Sequence, residues 1–205
     1  PHLPLLKVSD NIAFLSFNSS LQKKGEVFDP HIWLSVLNMK QIALNIKNHL
    51  VALFPQKKDI FITHFSFYEQ KLALLHQEIT DILKDEKGKG FIQFHPAWAY
   101  FAKDYHLALV GSVQPHGGHD EGVSLFEIQQ LFNKALKDNA LALAVEPQFN
   151  QTLVKQVAKE LQIPLAYLDN LEGIKENQSY FTLMKNNALA LQKAFHSHLN
   201  TQREP

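Results

Sequence analysis

Leu141-Ala142-Leu143-Ala144-Val145-Glu146-Pro147 is apolar at five consecutive positions and then stops at a carboxylate and a proline. A strand that is apolar on both faces must be covered on both faces, which is the signature of a parallel sheet sandwiched by helices. Three further runs have the same character: Gly90-Phe91-Ile92-Gln93-Phe94, Leu107 to Val113, and Pro164 to Leu168. The segments between them carry helical spacing. Leu125, Ile128, Phe132, Ala135 and Leu136 repeat at the 3.6-residue period after Ser124, which with Glu127 has the form of a capping box. Leu153, Val157, Ala158 and Leu161 follow Asn150, a good N-cap. A last helix starts near Tyr180, with Met184, Ala188, Leu191 and Phe195 on one face.

Upstream of this α/β unit the pattern changes. Helical spacing runs from Ser35 through Leu37, Ile42, Ala43, Ile46 and Leu50 and should end before Pro55. A longer helix is expected from about Ile60 to Lys84, burying Leu72, Leu75, Ile79, Ile82 and Leu83. The polar stretch Lys84 to Gly90 stops it. Before Ser35 we expect one strand near Leu6 to Val8 and a loop through Ser19 to Val27.

Composition narrows the chemistry. The chain has 205 residues, of which 45% are hydrophobic and 20% charged, enough apolar material for a real core. Lys plus Arg and Asp plus Glu are 20 each, and a neutral chain is not built to neutralise nucleic-acid phosphates. Cysteine is absent, which removes disulfides, thiol catalysis and thiolate metal sites. Histidine, at 11, is abundant, so any transition metal here is held by imidazole and carboxylate. No apolar run reaches the roughly 20 residues that cross a bilayer, and no signal segment stands at Pro1. G-x-G-x-x-G, P-loop and G-x-S-x-G patterns are missing as well.

In open α/β sheets ligands gather beyond the carboxyl ends of the strands. Three of the four strand ends here carry His95, Glu146 and Asp169, each a possible metal ligand or acid–base group, or simply a polar residue where a strand meets a loop. Asp29-Pro30-His31-Ile32-Trp33 precedes a helix, and reads either as a turn in which Asp29 caps and His31 is exposed, or as a ligand segment. His116-Gly117-Gly118-His119 lies in a glycine-rich loop and suits at most a secondary metal contact. The remaining histidines show no partner signal.

Asp29-Pro30-His31-Ile32-Trp33-Leu34-Ser35 with Asn38 resembles the D-P-H-x-W-L-x-P-x-N segment of the zinc- and manganese-type solute-binding receptors of metal ABC transporters. Phe94-His95-Pro96-Ala97-Trp98-Ala99-Tyr100-Phe101 is similar to that family's F-H-x-A-[WY]-x-Y-F stretch. Val145 to Phe149, Tyr167-Leu168-Asp169 and residues 180–187 resemble its last two strand ends and closing helix.

The resemblance implies a two-lobed α/β fold joined by a long rigid helix, with metal between the lobes. Residues 1–57 would be the remainder of the N-terminal lobe, 58–87 the linking helix, and 88–205 a C-terminal lobe with a four-stranded parallel sheet. Carried over, His31 is the first lobe's metal ligand and His95 and Asp169 are the second's. The family's other ligand, in an early D-P-H-x-Y/E segment, has no counterpart, and Pro1-His2-Leu3-Pro4 does not match it, so part of the first lobe is expected to be missing. Asn170 replaces the usual proline after the aspartate, Ser35-Val36 the usual residue-plus-proline, and the loop Asn18 to Phe28 has no histidine.

Two imidazoles and a carboxylate suit Zn2+ better than Mn2+, and manganese-type receptors often carry glutamate at the position of His95. The implied function is an extracytoplasmic or periplasmic receptor, a monomer and not an enzyme, that captures zinc as cargo and delivers it to an ABC transporter permease, with no nucleic-acid partner. Glu146 reads as a group that orients a ligand or holds the fold. The alternatives are a manganese receptor of the same fold, a metal-dependent hydrolase using the same ligands with Glu146 as its general base, and an adhesion module that binds no metal.

Overall fold

A computed structural model describes residues 4–16, 28–114, 125–171 and 178–201. The capping box at Ser124, the loop at 19–27, His2, His116 and His119 lie outside them.

The sheet has four strands in the order β2-β1-β3-β4, all parallel: β1 Gly90–Gln93, β2 Ala108–Ser112, β3 Ala140–Val145 and β4 Leu165–Tyr167. β1, β2 and β4 are each shorter than their apolar runs by a residue or two, whereas β3 spans its whole run and begins one residue earlier, at Ala140. The chain places β2 on one side of β1 and then crosses to lay β3 on the other. The order in which strands are added therefore reverses between β1 and β3, the point in such sheets where the loops leaving neighbouring strands run apart.

Alternation along the strands divides the core. Phe91, Leu141, Ala142 and Ala144 join the second half of helix α2 (Lys58–Leu83), helix α3 (Ala99–Asp104) and helix α6 (Tyr180–Thr201). Ile92, Phe94, Leu143 and Val145 face the other way, onto helices α4 (Leu125–Lys137) and α5 (Gln151–Leu161). β3 is buried at all six positions, as a central strand covered on both faces must be. Asn150 caps α5 by accepting from the amides of Thr152 and Leu153 at 3.0 and 3.3 Å. Leu161 is followed by Gln162 in the left-handed conformation, which ends that helix.

Helix α1 (Val36–Leu53) stops before Pro55 and α2 packs against it. Ser35 caps α1, its Oγ accepting from the Asn38 amide at 2.9 Å. The expected stripe on α1 is only half buried: Ile42 is covered, while Leu37 and Ile46 are exposed, because among the described residues nothing packs on that side. Leu136 is likewise exposed, since the turn of α4 past Ala135 rotates it off the sheet. No strand forms near Leu6. Residues 8–11 make a turn instead, tied to α1 by the Asn45 side-chain amide, which donates to the carbonyls of Val8 and Asp10 at 2.8 Å each.

Helix α2 is not a bare spacer. Its first half packs on α1 and leaves Ile60, Ile62 and Phe67 exposed, while Leu72, Leu75, Ile79 and Leu83 belong to the same core as Ala188, Leu191 and Phe195 of α6. The Gln192 side chain adds a hydrogen bond to the Ile82 carbonyl. No helix among the described residues is long and apolar enough to cross a membrane.

Candidate metal centre

His31 lies in the tight segment between the N-terminal turn and α1, and a single 3₁₀ turn, Ile32–Leu34, follows it. Asp29 is buried, and its Oδ1 accepts both the His31 main-chain amide at 2.9 Å and the His31 ring Nδ1 at 2.7 Å. The Asp29 carbonyl in turn accepts the Tyr100 hydroxyl at 3.0 Å, and that hydroxyl accepts the Leu15 amide at 3.1 Å. The exposed-turn reading of this segment does not hold. Asp29 holds the imidazole rather than capping the helix, which Ser35 does, and only 5% of His31 is exposed. A carboxylate on Nδ1 fixes the ring and its tautomer and leaves the Nε2 lone pair for a ligand, as metal-binding histidines require.

His95 leaves the carboxyl end of β1 and Glu146 leaves that of β3, so they flank the point where the strand order reverses. The loop after β1 is anchored from below. Gln93 Oε1 accepts the amides of Ala97 and Trp98 at 3.1 and 2.9 Å, and its Nε2 donates to Ser112 Oγ at 2.8 Å. Glu146 is fully buried, and its Oε1 accepts the Trp98 indole N–H at 2.9 Å. His95 Nδ1 stands 3.8 Å from that same oxygen, beyond hydrogen-bond reach. Both His95 Nδ1 and Glu146 Oε2 are buried without a hydrogen-bond partner.

The two imidazoles meet edge to face, ring centroids 5.0 Å apart at 87°. Trp33 packs against His31 and Phe149 against His95, at 5.4 and 5.9 Å. Asp169, after β4, is only partly buried and is tied to α6: its amide donates to Asn187 Oδ1 and its carbonyl accepts Asn187 Nδ2, both at 2.8 Å. Its Oδ1 accepts the Leu171 amide at 2.9 Å. His31 and His95 are thus brought together, whereas among the described residues no group of three or more His, Asp or Glu side chains converges closely enough to hold an ion. Asp169 does reach the His31 segment through its neighbour, because the Trp33 indole N–H donates to the Asn170 carbonyl at 3.0 Å.

The donor set is chemically apt. Two buried imidazoles backed by two buried carboxylates form a nitrogen–oxygen environment suited to a borderline cation such as zinc, and the unpartnered atoms of His95 and Glu146 are groups a ligand would draw into use. The Asp29–His31 pairing was readable from the two-residue spacing in principle. The Trp98–Glu146 bond joins residues from separate strand ends and leaves no local trace in the chain.

Over 170 residues the chain is 32% identical to the zinc-binding protein AdcA of Streptococcus pyogenes, covering 80% of this chain and 32% of that protein. It is 31% identical over 159 residues to the high-affinity zinc uptake system protein ZnuA of Yersinia pestis, covering 77% of this chain and 49% of that one. The chain therefore spans only about a third to a half of these relatives. A crystal structure of ZnuA superposes with a TM-score of 0.76 at 28% identity, over 93% of this chain and 69% of the other. A family model described as ZnuA, zinc-uptake complex component A, periplasmic, matches residues 2–194, and the chain belongs to that family, one of metal-binding transport receptors rather than enzymes.

Proposed function

We propose that this chain captures Zn2+ as cargo between two bodies and presents it to an ABC transporter permease outside the cytoplasm. Residues 1–57 and 88–205 are the two bodies and 58–87 the helix between them. The observation that carries the reading is the edge-to-face pair of His31 and His95, drawn from different bodies and each facing a buried carboxylate. Ligands from both sides make binding and closure one event, and a permease can then recognise the loaded shape. Asp169 would supply the third ligand, and the Trp33–Asn170 bond already ties its strand end to the His31 turn. Zinc is favoured over manganese because two imidazoles dominate the donor set.

Calorimetric titration with Zn2+, Mn2+ and Mg2+ tests this. Zinc should bind most tightly, and His31→Ala and His95→Ala should each weaken it by an order of magnitude or more. Equal affinity for zinc and magnesium, or unchanged zinc binding in both variants, would sink the proposal.

A further inference from the structure

The two carboxylate–histidine pairs of the site are in different states. Asp29 and His31 are closed at 2.7 Å, whereas Glu146 and His95 stand open at 3.8 Å, each with one buried, unpartnered atom. Glu146 is not short of order: it is fully buried, and the Trp98 indole holds its Oε1 at 2.9 Å. Trp98 is itself completely buried, and its amide is fixed by Gln93, so the carboxylate is presented on a rigid support. The His95 imidazole is buried and packs between the rings of His31 and Phe149.

We infer that Glu146 is the positioning residue for His95. Its carboxylate, 3.8 Å from Nδ1, favours the proton on that nitrogen, which leaves Nε2 unprotonated for the ion. Trp98 keeps the carboxylate in place. This rests on the zinc-receptor reading, and it gives Glu146 on the His95 side the task that Asp29 performs for His31.

A purely structural Glu146 would serve only as the acceptor for the Trp98 indole. Glu146→Gln separates the two roles, because the carboxamide oxygen still accepts from Trp98. That oxygen is also the one nearest His95 Nδ1, so the variant keeps both contacts and removes only the carboxylate's charge, which weakens the preference for a proton on Nδ1.

Long-range 1H–15N correlation spectra read the tautomer directly, with the His95 signals identified by their loss in His95→Ala. The metal-free wild type should carry the His95 proton on Nδ1 and Glu146→Gln should share it between Nδ1 and Nε2, with a melting temperature near wild type. Zinc affinity, by competition with a chromophoric chelator, should fall roughly 10–100-fold in Glu146→Gln. A wild-type His95 protonated on Nε2, or a Glu146→Gln protein with unchanged tautomer and zinc affinity, overturns the inference. The wild-type spectrum does not depend on Glu146→Gln, so it decides the matter even where that variant fails to fold. A wild type that binds no zinc overturns the receptor reading instead, while the metal-free tautomer still reports on Glu146.

Discussion

The indole N–H of Trp33 donates to the main-chain carbonyl of Asn170 at 3.0 Å, joining the turn that carries His31 to the strand end that carries Asp169. The Trp33 carbonyl is engaged as well, accepting the Tyr180 hydroxyl at 2.9 Å. Burial pushes the Tyr180 phenol far above its ordinary range, so it remains a neutral donor at any physiological pH. One tryptophan therefore couples the first metal-site segment to both β4 and α6.

Trp33→Phe keeps the ring and removes the N–H. The loss of one hydrogen bond should lower stability by about 1 kcal/mol in urea unfolding. Zinc affinity should fall further than the stability change alone accounts for, because the turn bearing His31 and the strand end bearing Asp169 are no longer tied together. Unchanged zinc binding would show that this link plays no part in the site.

Asp29→Ala leaves His31 buried but without the carboxylate that orients it. Loss of such an outer partner weakens metal binding by roughly 10–100-fold. The variant should also lose some stability, because the His31 amide loses its acceptor. Chelator competition measures the first effect and thermal melting the second. An affinity within about twofold of wild type would contradict the orienting role.

Asp104 accepts the Ser35 hydroxyl and is held above its ordinary value of 3.8 by burial, which outweighs the Ser35 hydrogen bond and the nearby charges of His76 and Lys103. A carboxyl with a raised folded pKa contributes stability that is fully present below the ordinary value and is lost as pH rises through the raised one. Asp104→Asn keeps an acceptor for Ser35 and abolishes that titration. The variant should therefore gain on wild type as pH climbs from the ordinary carboxylate value towards neutrality. Denaturant unfolding over that range checks the sign, and parallel curves would refute it.

Gly90 opens β1 where a Cβ would come within 2.9 Å of Val110 Cγ2 and 3.3 Å of the Asp138 carbonyl oxygen. Gly90→Ala must push β2 aside or shift the turn before β3, at a cost of about 1–3 kcal/mol. A change below half a kilocalorie per mole in urea unfolding would mean the strand edge yields freely.

Much of the architecture was legible in the chain because strands and helices leave different periods. The uninterrupted apolar run at Leu141 to Val145 could only be a strand covered on both faces, and β3 is buried at every position. The ends of α1, α2 and α5 were marked by Ser35, Pro55, the Lys84 to Gly90 stop and Asn150, whose effects are local. The expected strand at Leu6 failed because three or four apolar residues without a neighbouring strand cannot pair. The buried stripe on α1 was only half right, since periodicity identifies an apolar face but not what covers it.

The candidate site divides along the same line. Sequence by itself determined that any metal must be held by imidazole and carboxylate, since the chain has no cysteine and 11 histidines, and it put His95, Glu146 and Asp169 at strand ends and His31 before a helix. Only the tertiary structure decided which of these meet. The crossover that places β2 and β3 on opposite sides of β1 sets His95 beside Glu146, and packing of the Asp29 turn onto Tyr100 brings His31 against His95. It also left Asp169 bound to α6, outside any three-residue cluster among the described residues. The physical reason is that side-chain chemistry and period are properties of neighbours in the chain. Strand order and the meeting of distant loops are set by long-range burial, which no local spacing encodes.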